Sequence, residues 1–248
     1  MADQCIFCDF PADSTEHAWP DWLTKKVTGG RRGWQVEIVN LGSPLITVEQ
    51  VNREIAVKVT CVCSRCNRGW MKRLEDRVSV FGKAMMDGRP SVLTLLQARL
   101  LARWGAKTAI TLECAHGSGP YRTPRAIAEK VRQMATVPVG IDVLLGHYVG
   151  PRPLGQNRYV YRALDRDELY LCWSILLFGQ VLMQVRINTR RVERPSLVGQ
   201  PSRHFIPLTG VDPGQIQWPP EESVGEEFVA GFGAIMDDIV RRGGGYGD

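Results

Sequence analysis

The stretch CVCSRCNRGW, residues 61–70, decides how this chain is read. It holds three cysteines in six residues, followed at once by an asparagine and a basic, aromatic run. Cys63 and Cys66 have C-x-x-C spacing, and the same spacing recurs at Cys5 and Cys8. A short turn of this kind presents two thiolates from one curl of backbone, and two such turns supply the four sulfurs that tetrahedral Zn2+ favours. The 54 residues between the pairs form a longer gap than in a simple finger, which a hairpin with an insertion spans. The competing reading of these four cysteines is a set of buried, reduced thiols.

The chain has seven cysteines, an odd count, and its start MADQCIFCDF has no basic residues followed by an apolar stretch. Together these argue for a cytoplasmic protein and against a disulfide framework. Cys61 is the spare, because C-x-C is the poorer knuckle spacing. Cys114 and Cys172 lie in apolar surroundings and read as core residues.

Upstream of the second pair, GWQVEIVNLG and REIAVKVTCV are rich in β-branched residues and read as strands. Downstream, Trp70, Leu74, Val78 and Phe81 fall at helical spacing, so a helix starts at the second pair and ends near the turn DGRP at 87–90. Its positive N-terminal end lies beside the thiolates. Knuckle, strands, then knuckle on a helix start is a treble clef.

A second helix is expected over 91–113, with Leu93, Leu96, Leu100, Trp104, Lys107 and Thr108 along one side. Thr123 and Pro124 open a third, as a cap and a first-turn proline, which ends before Pro138. GIDVLLGHYVG, NRYVYRAL, ELYLCWSILL and QVLMQVRIN read as consecutive strands of an antiparallel sheet. A last helix carries Phe228, Phe232, Ile235 and Ile239 on one face, before a GGGYGD tail read as disordered. The expected fold is α+β. A treble-clef, ββα-metal-like zinc module occupies 1–83, a larger α+β domain 84–242, and the tail 243–248.

Composition bounds the function. Apolar residues make up 44% and charged residues 23%, as in ordinary globular proteins. No apolar run reaches the roughly 18–20 residues that span a bilayer, so no membrane partner is expected. The formal net charge of +5 permits nucleic-acid binding without demanding it.

CIFC, EHAWPDWL and CSRCNRGWMKRLE together resemble the HNH-endonuclease-like proteins of bacteria and their phages, over about residues 5–77. ARWGAKTAI and FGQVLMQVRI are more faintly similar to the downstream part of those proteins. The resemblance implies a metal-dependent nuclease that hydrolyses phosphodiester bonds. His17 would be the general base, suited to that work by an ordinary pKa of about 6.5. Glu16 and Asn67 would hold a catalytic Mg2+ or Mn2+ beside the structural Zn2+, and Arg65, Arg68, Lys72 and Arg73 would contact phosphates. Nucleic acid, most simply DNA, is the implied partner, and a homodimer is compatible with it.

Each of these residues also has a plainer reading. His17 can donate to a zinc thiolate, Asn67 can cap the helix, and Trp19, Trp22 and Trp70 can fill a small core. Glu75 can join the metal site or pair with Arg68 or Arg31, and Glu75 and Asp76 dilute the basic face. His116, His147 and His204 have no partner at telling spacing and read as structural. The strand AVKVTC lacks the asparagine that such nucleases carry before the second knuckle. The alternative function is therefore a catalytically silent zinc module that recognises nucleic acid or protein, in phage–host conflict.

Overall fold

The structure is a computed structural model that describes residues 3–28, 39–40, 58–116, 123–151, 154–162, 170–188, 203–209, 215–229 and 231. The chain opens with a turn around Cys5–Cys8, then strand β1 (Ser14–His17) and helix α1 (Asp21–Thr28). β2 (Val39–Asn40) and β3 (Lys58–Val62) are the described parts of the two strands expected here. The second knuckle forms α2 (Ser64–Cys66), which runs through a π-helical turn at Asn67–Met71 into α3 (Lys72–Met86). β1 and β3 pair antiparallel, with Glu16 opposite Val59 and His17 opposite Lys58.

The stretch expected as one helix over 91–113 divides in two. Ser91–Leu93 is a strand, β4, and helix α4 runs from Leu95 to Glu113. The reason is a capping box: Gln97 N donates to Thr94 Oγ1 at 3.3 Å, and Thr94 N donates to Gln97 Oε1 at 2.8 Å. Helix α5 (Arg125–Gln133) likewise starts one residue later than the Thr-Pro pair suggests. Pro124 holds the cap position, because Thr123 is committed elsewhere: its N and Oγ1 donate to the Glu113 carboxylate at 2.6 and 2.8 Å.

Next come β5 (Ile141–Tyr148), β6 (Leu154–Arg162), β7 (Tyr170–Phe178) and β8 (Val181–Asn188). They form an antiparallel block in the order β5-β8-β7-β6. Three short strands follow: β9 (Phe205–Pro207), β10 (Ile216–Trp218) and β11 (Ser223–Val224). β9 pairs antiparallel and β11 parallel with β5, β2 adds in parallel to β6, and β10 pairs with β4. The molecule is thus mixed α/β with mainly antiparallel sheets, as an α+β fold requires. Most of the last predicted helix and the whole Gly-rich tail lie outside the described residues.

The buried side of the sheet packs on α4. Trp104 meets Phe178 at 5.1 Å between ring centroids, and a Cβ at Gly105 would come within 2.5 Å of Met183 Cε. Trp22 of α1 lies 6.2 Å from Trp104, and Trp19 lies 6.5 Å from Phe178. A single apolar cluster therefore runs from Cys5 and Phe7 through α3 and α4 to Ile187. The boundary expected between 83 and 84 falls inside α3, and the same core continues on both sides of it. Among the described residues no helix is long and apolar enough to cross a membrane.

Candidate metal centre and basic face

Cys5, Cys8, Cys63 and Cys66 are all buried, and their sulfurs lie within 4.8 Å of one another. Cys8 Sγ is 3.5 Å from both Cys63 Sγ and Cys66 Sγ. Zn–S bonds of about 2.3 Å in a tetrahedron would put the sulfurs about 3.8 Å apart, so this donor set fits a metal ion such as zinc. Backbone shapes the cluster. Cys5 N donates to Phe10 O and Cys8 N to Cys5 O, closing the first turn. Ile6 N donates to Cys61 O, which ties that turn to β3. Cys66 N donates to Cys63 Sγ at 3.4 Å, capping α2. The thiols share protons unevenly. The hydrogen bond from Cys66 holds Cys5 down to about 5 against the effect of burial, while that same bond and burial push Cys66 up. Burial also raises Cys8. Asp13 braces the second knuckle by accepting from Ser64 N at 2.6 Å, and that bond holds its carboxyl below the ordinary range.

The two remaining cysteines near this cluster are joined. Cys61 and Cys114 form a disulfide that links β3 to the end of α4, with Cα atoms 6.3 Å apart. This corrects the reading of Cys61 as a spare, and it gives Cys114, which packs against the core as expected, a covalent partner. Partners 53 residues apart cannot be chosen from spacing. Cys172 is a buried core residue, as expected.

The three residues assigned to catalysis each have different neighbours. Glu16 is 6% exposed and faces Lys107, which is itself fully buried on α4. Its carboxylate is 3.8 Å from Lys107 Nζ, and the closer partner of that ammonium is Glu75 at 2.6 Å. Burial pushes Glu16 up to about 7, Lys107 pulls it down, and Glu75 pushes it up. Asn67 Nδ2 donates to Ser14 Oγ at 2.7 Å and to Thr15 O at 3.3 Å. His17 points away from this cluster, 38% exposed, with Nδ1 3.7 Å from Asp21 Oδ1. An ammonium already occupies the cationic position beside Glu16, so these residues are a poor fit for a second, divalent ion. Among the described residues the four cysteines are the one group of three or more His, Cys, Asp or Glu arranged to hold a metal.

Glu75 is therefore no surface partner of Arg68 and turns inward to Lys107; Arg31 lies outside the described residues. Asp76 pairs with Lys72. This changes the balance of the basic face. Lys72, expected to contact phosphate, is taken, whereas Arg65, Arg68, Arg73 and Arg77 are exposed and form no ion pair among the described residues. Arg68 lies near enough to Asp13 to help hold that carboxyl low, and Arg65 sits over the Phe10 ring at 5.1 Å.

The tryptophans follow the plainer reading. Trp19 is buried, and Trp70 packs edge-on against Phe7 at 5.1 Å. His147 bridges Ser223 at 2.7 Å and Gln180 at 3.0 Å, and His204 meets Glu222 at 3.1 Å, so both stitch local structure. The side chain of His116 lies outside the described residues. Sequence reading missed Lys107 as the ion-pair centre; a lysine in the middle of the apolar side of a helix was the available signal. Comparison with protein-family models, curated proteins and solved structures gave no match for this chain.

Proposed function

We propose that this protein is a zinc-centred nucleic-acid-binding protein that grips the phosphate backbone with the arginines following its second knuckle. The observation that carries this reading is the set Arg65, Arg68, Arg73 and Arg77. All four are exposed and free of ion pairs among the described residues, because the two neighbouring acids are turned to Lys107 and Lys72. Free guanidiniums suit phosphate oxygens, which they bind in bidentate fashion. The treble-clef reading agrees with this arrangement, since the β1–β3 ladder lies between a knuckle turn and a knuckle at a helix start. Four zinc thiolates would hold α2 and α3 at a fixed angle to that ladder.

The test is duplex and single-strand oligonucleotide binding across a salt series. Four phosphate contacts on duplex DNA predict a slope of log K against log salt of about −3 to −4. Arg73→Gln should flatten that slope by about one unit. A slope near zero would refute the reading.

Hydrolysis of the HNH type is the second reading, and one observation favours it. His17 is partly exposed beside Asp21, in the orientation a general base needs to reach solvent. Asn67 also keeps its Oδ1 available among the described residues, because its bonds to Ser14 and Thr15 use the amide nitrogen. Against it stands Glu16, buried in an ion pair with Lys107. Plasmid cleavage with Mg2+ or Mn2+, compared between wild type and His17→Ala at matched zinc content, decides between binding and cutting.

A further inference from the structure

Beside the metal centre lies a cleft of about 330 Å³ that the function above does not by itself explain. Arg65, Cys66, Gly69, Trp70, Arg73, Arg132 and Gln133 line it. Three arginines thus come to one cleft from two places in the chain: Arg65 and Arg73 flank the π-helical turn, and Arg132 comes from the last turn of α5. No carboxylate lines it, and none of the three arginines has an ion pair among the described residues. Arg132 Nε is buried and has no hydrogen-bond partner among the described residues, a donor that is costly to leave unsatisfied.

The end of α5 is held in place by a device of its own. Arg103 donates Nε–H to Val131 O at 2.8 Å and a terminal N–H to Arg132 O at 2.6 Å, while its guanidinium lies 5.1 Å from the centre of the Trp70 ring. A fourth cation is therefore spent on fixing Arg132 against the π-helical turn. Trp70, which lines the cleft, has Arg103 over its ring and Phe7 against it.

We propose that this cleft is a subsite for a phosphomonoester dianion, the terminal phosphate of a nucleic-acid strand. The charge decides between an end and an internal linkage. A phosphomonoester carries about −1.5 to −2 at pH 7 and three acceptor oxygens, which three guanidiniums match. An internal diester carries one charge, which a single bidentate arginine satisfies. The volume lies at the lower end of ligand pockets, which run from about 300 to 1,000 Å³, enough for a terminal nucleotide and no more. The inference rests on the nucleic-acid reading above and assigns its arginines a more specific ligand.

The competing role for these arginines is to neutralise the zinc tetrathiolate behind Cys66, which carries a formal charge of −2. The experiment separates the two. Fluorescence anisotropy on the full chain, loaded with zinc, would use one oligonucleotide with a 5′-phosphate, with a 3′-phosphate and with hydroxyl ends, and inorganic phosphate and adenosine monophosphate as competitors. One end-phosphate is expected to tighten binding by roughly tenfold or more, with competition by both small phosphates. Arg132→Gln, with zinc content unchanged, should reduce that preference to less than about twofold; Arg73→Gln is the second variant if Arg132→Gln fails to retain zinc. Equal binding of phosphorylated and hydroxyl ends would overturn the subsite and leave the nucleic-acid reading standing. Binding of adenosine monophosphate without binding of any oligonucleotide would overturn both. A phosphate preference that zinc-loaded Arg132→Gln and Arg73→Gln retain would also overturn the assignment.

Discussion

Replacing Glu16 with glutamine isolates the cost of the acid buried beside Lys107. Glu16 is pushed from its ordinary 4.5 up to about 7, chiefly by burial. The folded protein therefore holds a proton that the unfolded chain releases. For an acid shifted upward, stability falls as pH rises from about 4.5 through about 7, the window between the unfolded and folded values. At pH 8 the ionised carboxylate costs about 3 kcal/mol, and at pH 5 less than about 1 kcal/mol. Glutamine keeps the shape and removes the charge, and Lys107 keeps Glu75 at 2.6 Å. An imperfectly bonded amide costs about 1 kcal/mol at either pH. The variant should thus gain about 2 kcal/mol at pH 8 and nothing at pH 5. In a chain of this size that is about 4–8 °C in Tm. Thermal melts of zinc-loaded wild type and Glu16→Gln at both pH values measure it. An equal shift at pH 5 and pH 8, or a loss at pH 8, would refute the reasoning.

Cys66→Ser should abolish metal binding and cooperative folding together, because structural zinc contributes folding free energy directly; metal analysis and a chelator titration of the melting curve check this. Trp104→Ala should cost roughly 3–5 kcal/mol in denaturant unfolding, since it empties the junction between Trp22 and Phe178. Gly179→Ala should cost roughly 2 kcal/mol or more in the same measurement. Gly179 has φ +58°, and a Cβ there would come 2.6 Å from Met86 O, a backbone atom that a rotamer change cannot move.

The parts of the fold that could be read early are those written in local pattern. The two C-x-x-C pairs identified the sulfur cluster because each turn sets its own geometry. The β7–β8 hairpin showed in a long apolar run broken by Gly179 and Gln180. The start of α4 was equally local: Thr94 and Gln97 have capping-box spacing, and the apolar periodicity running on from Val92 and Leu93 concealed it. The candidate site depended on partners distant in the chain. Glu75 lies 32 residues from Lys107, and Arg132 joins Arg65 and Arg73 only because α5 packs beside the π-helical turn. No periodicity reports such pairings. The motif that suggested catalysis was legible as residues, whereas Lys107, which faces its glutamate, lies 91 residues further along the chain than Glu16.

Lys107 also explains why the metal-bearing segment and the sheet share one core. A fully buried ammonium is tolerated only with anionic partners, and both of its partners, Glu16 on β1 and Glu75 on α3, come from the segment that carries the cysteines. Gly105, on the opposite side of α4 from Lys107, is committed to the sheet, where a Cβ would come within 2.5 Å of Met183 Cε. Helix α4 therefore has one polar demand that only the N-terminal segment meets and one apolar demand that only the sheet meets. The Cys61–Cys114 disulfide fastens the same helix end to β3. A metal held by the four cysteines would fix the knuckles and so act through α3 and β1 on the position of α4. Through Arg103, which α4 carries to the end of α5, it would act also on Arg132 in the arginine-lined cleft. The sulfur cluster and the basic cleft are two ends of one packed assembly, and loss of the metal would disturb both.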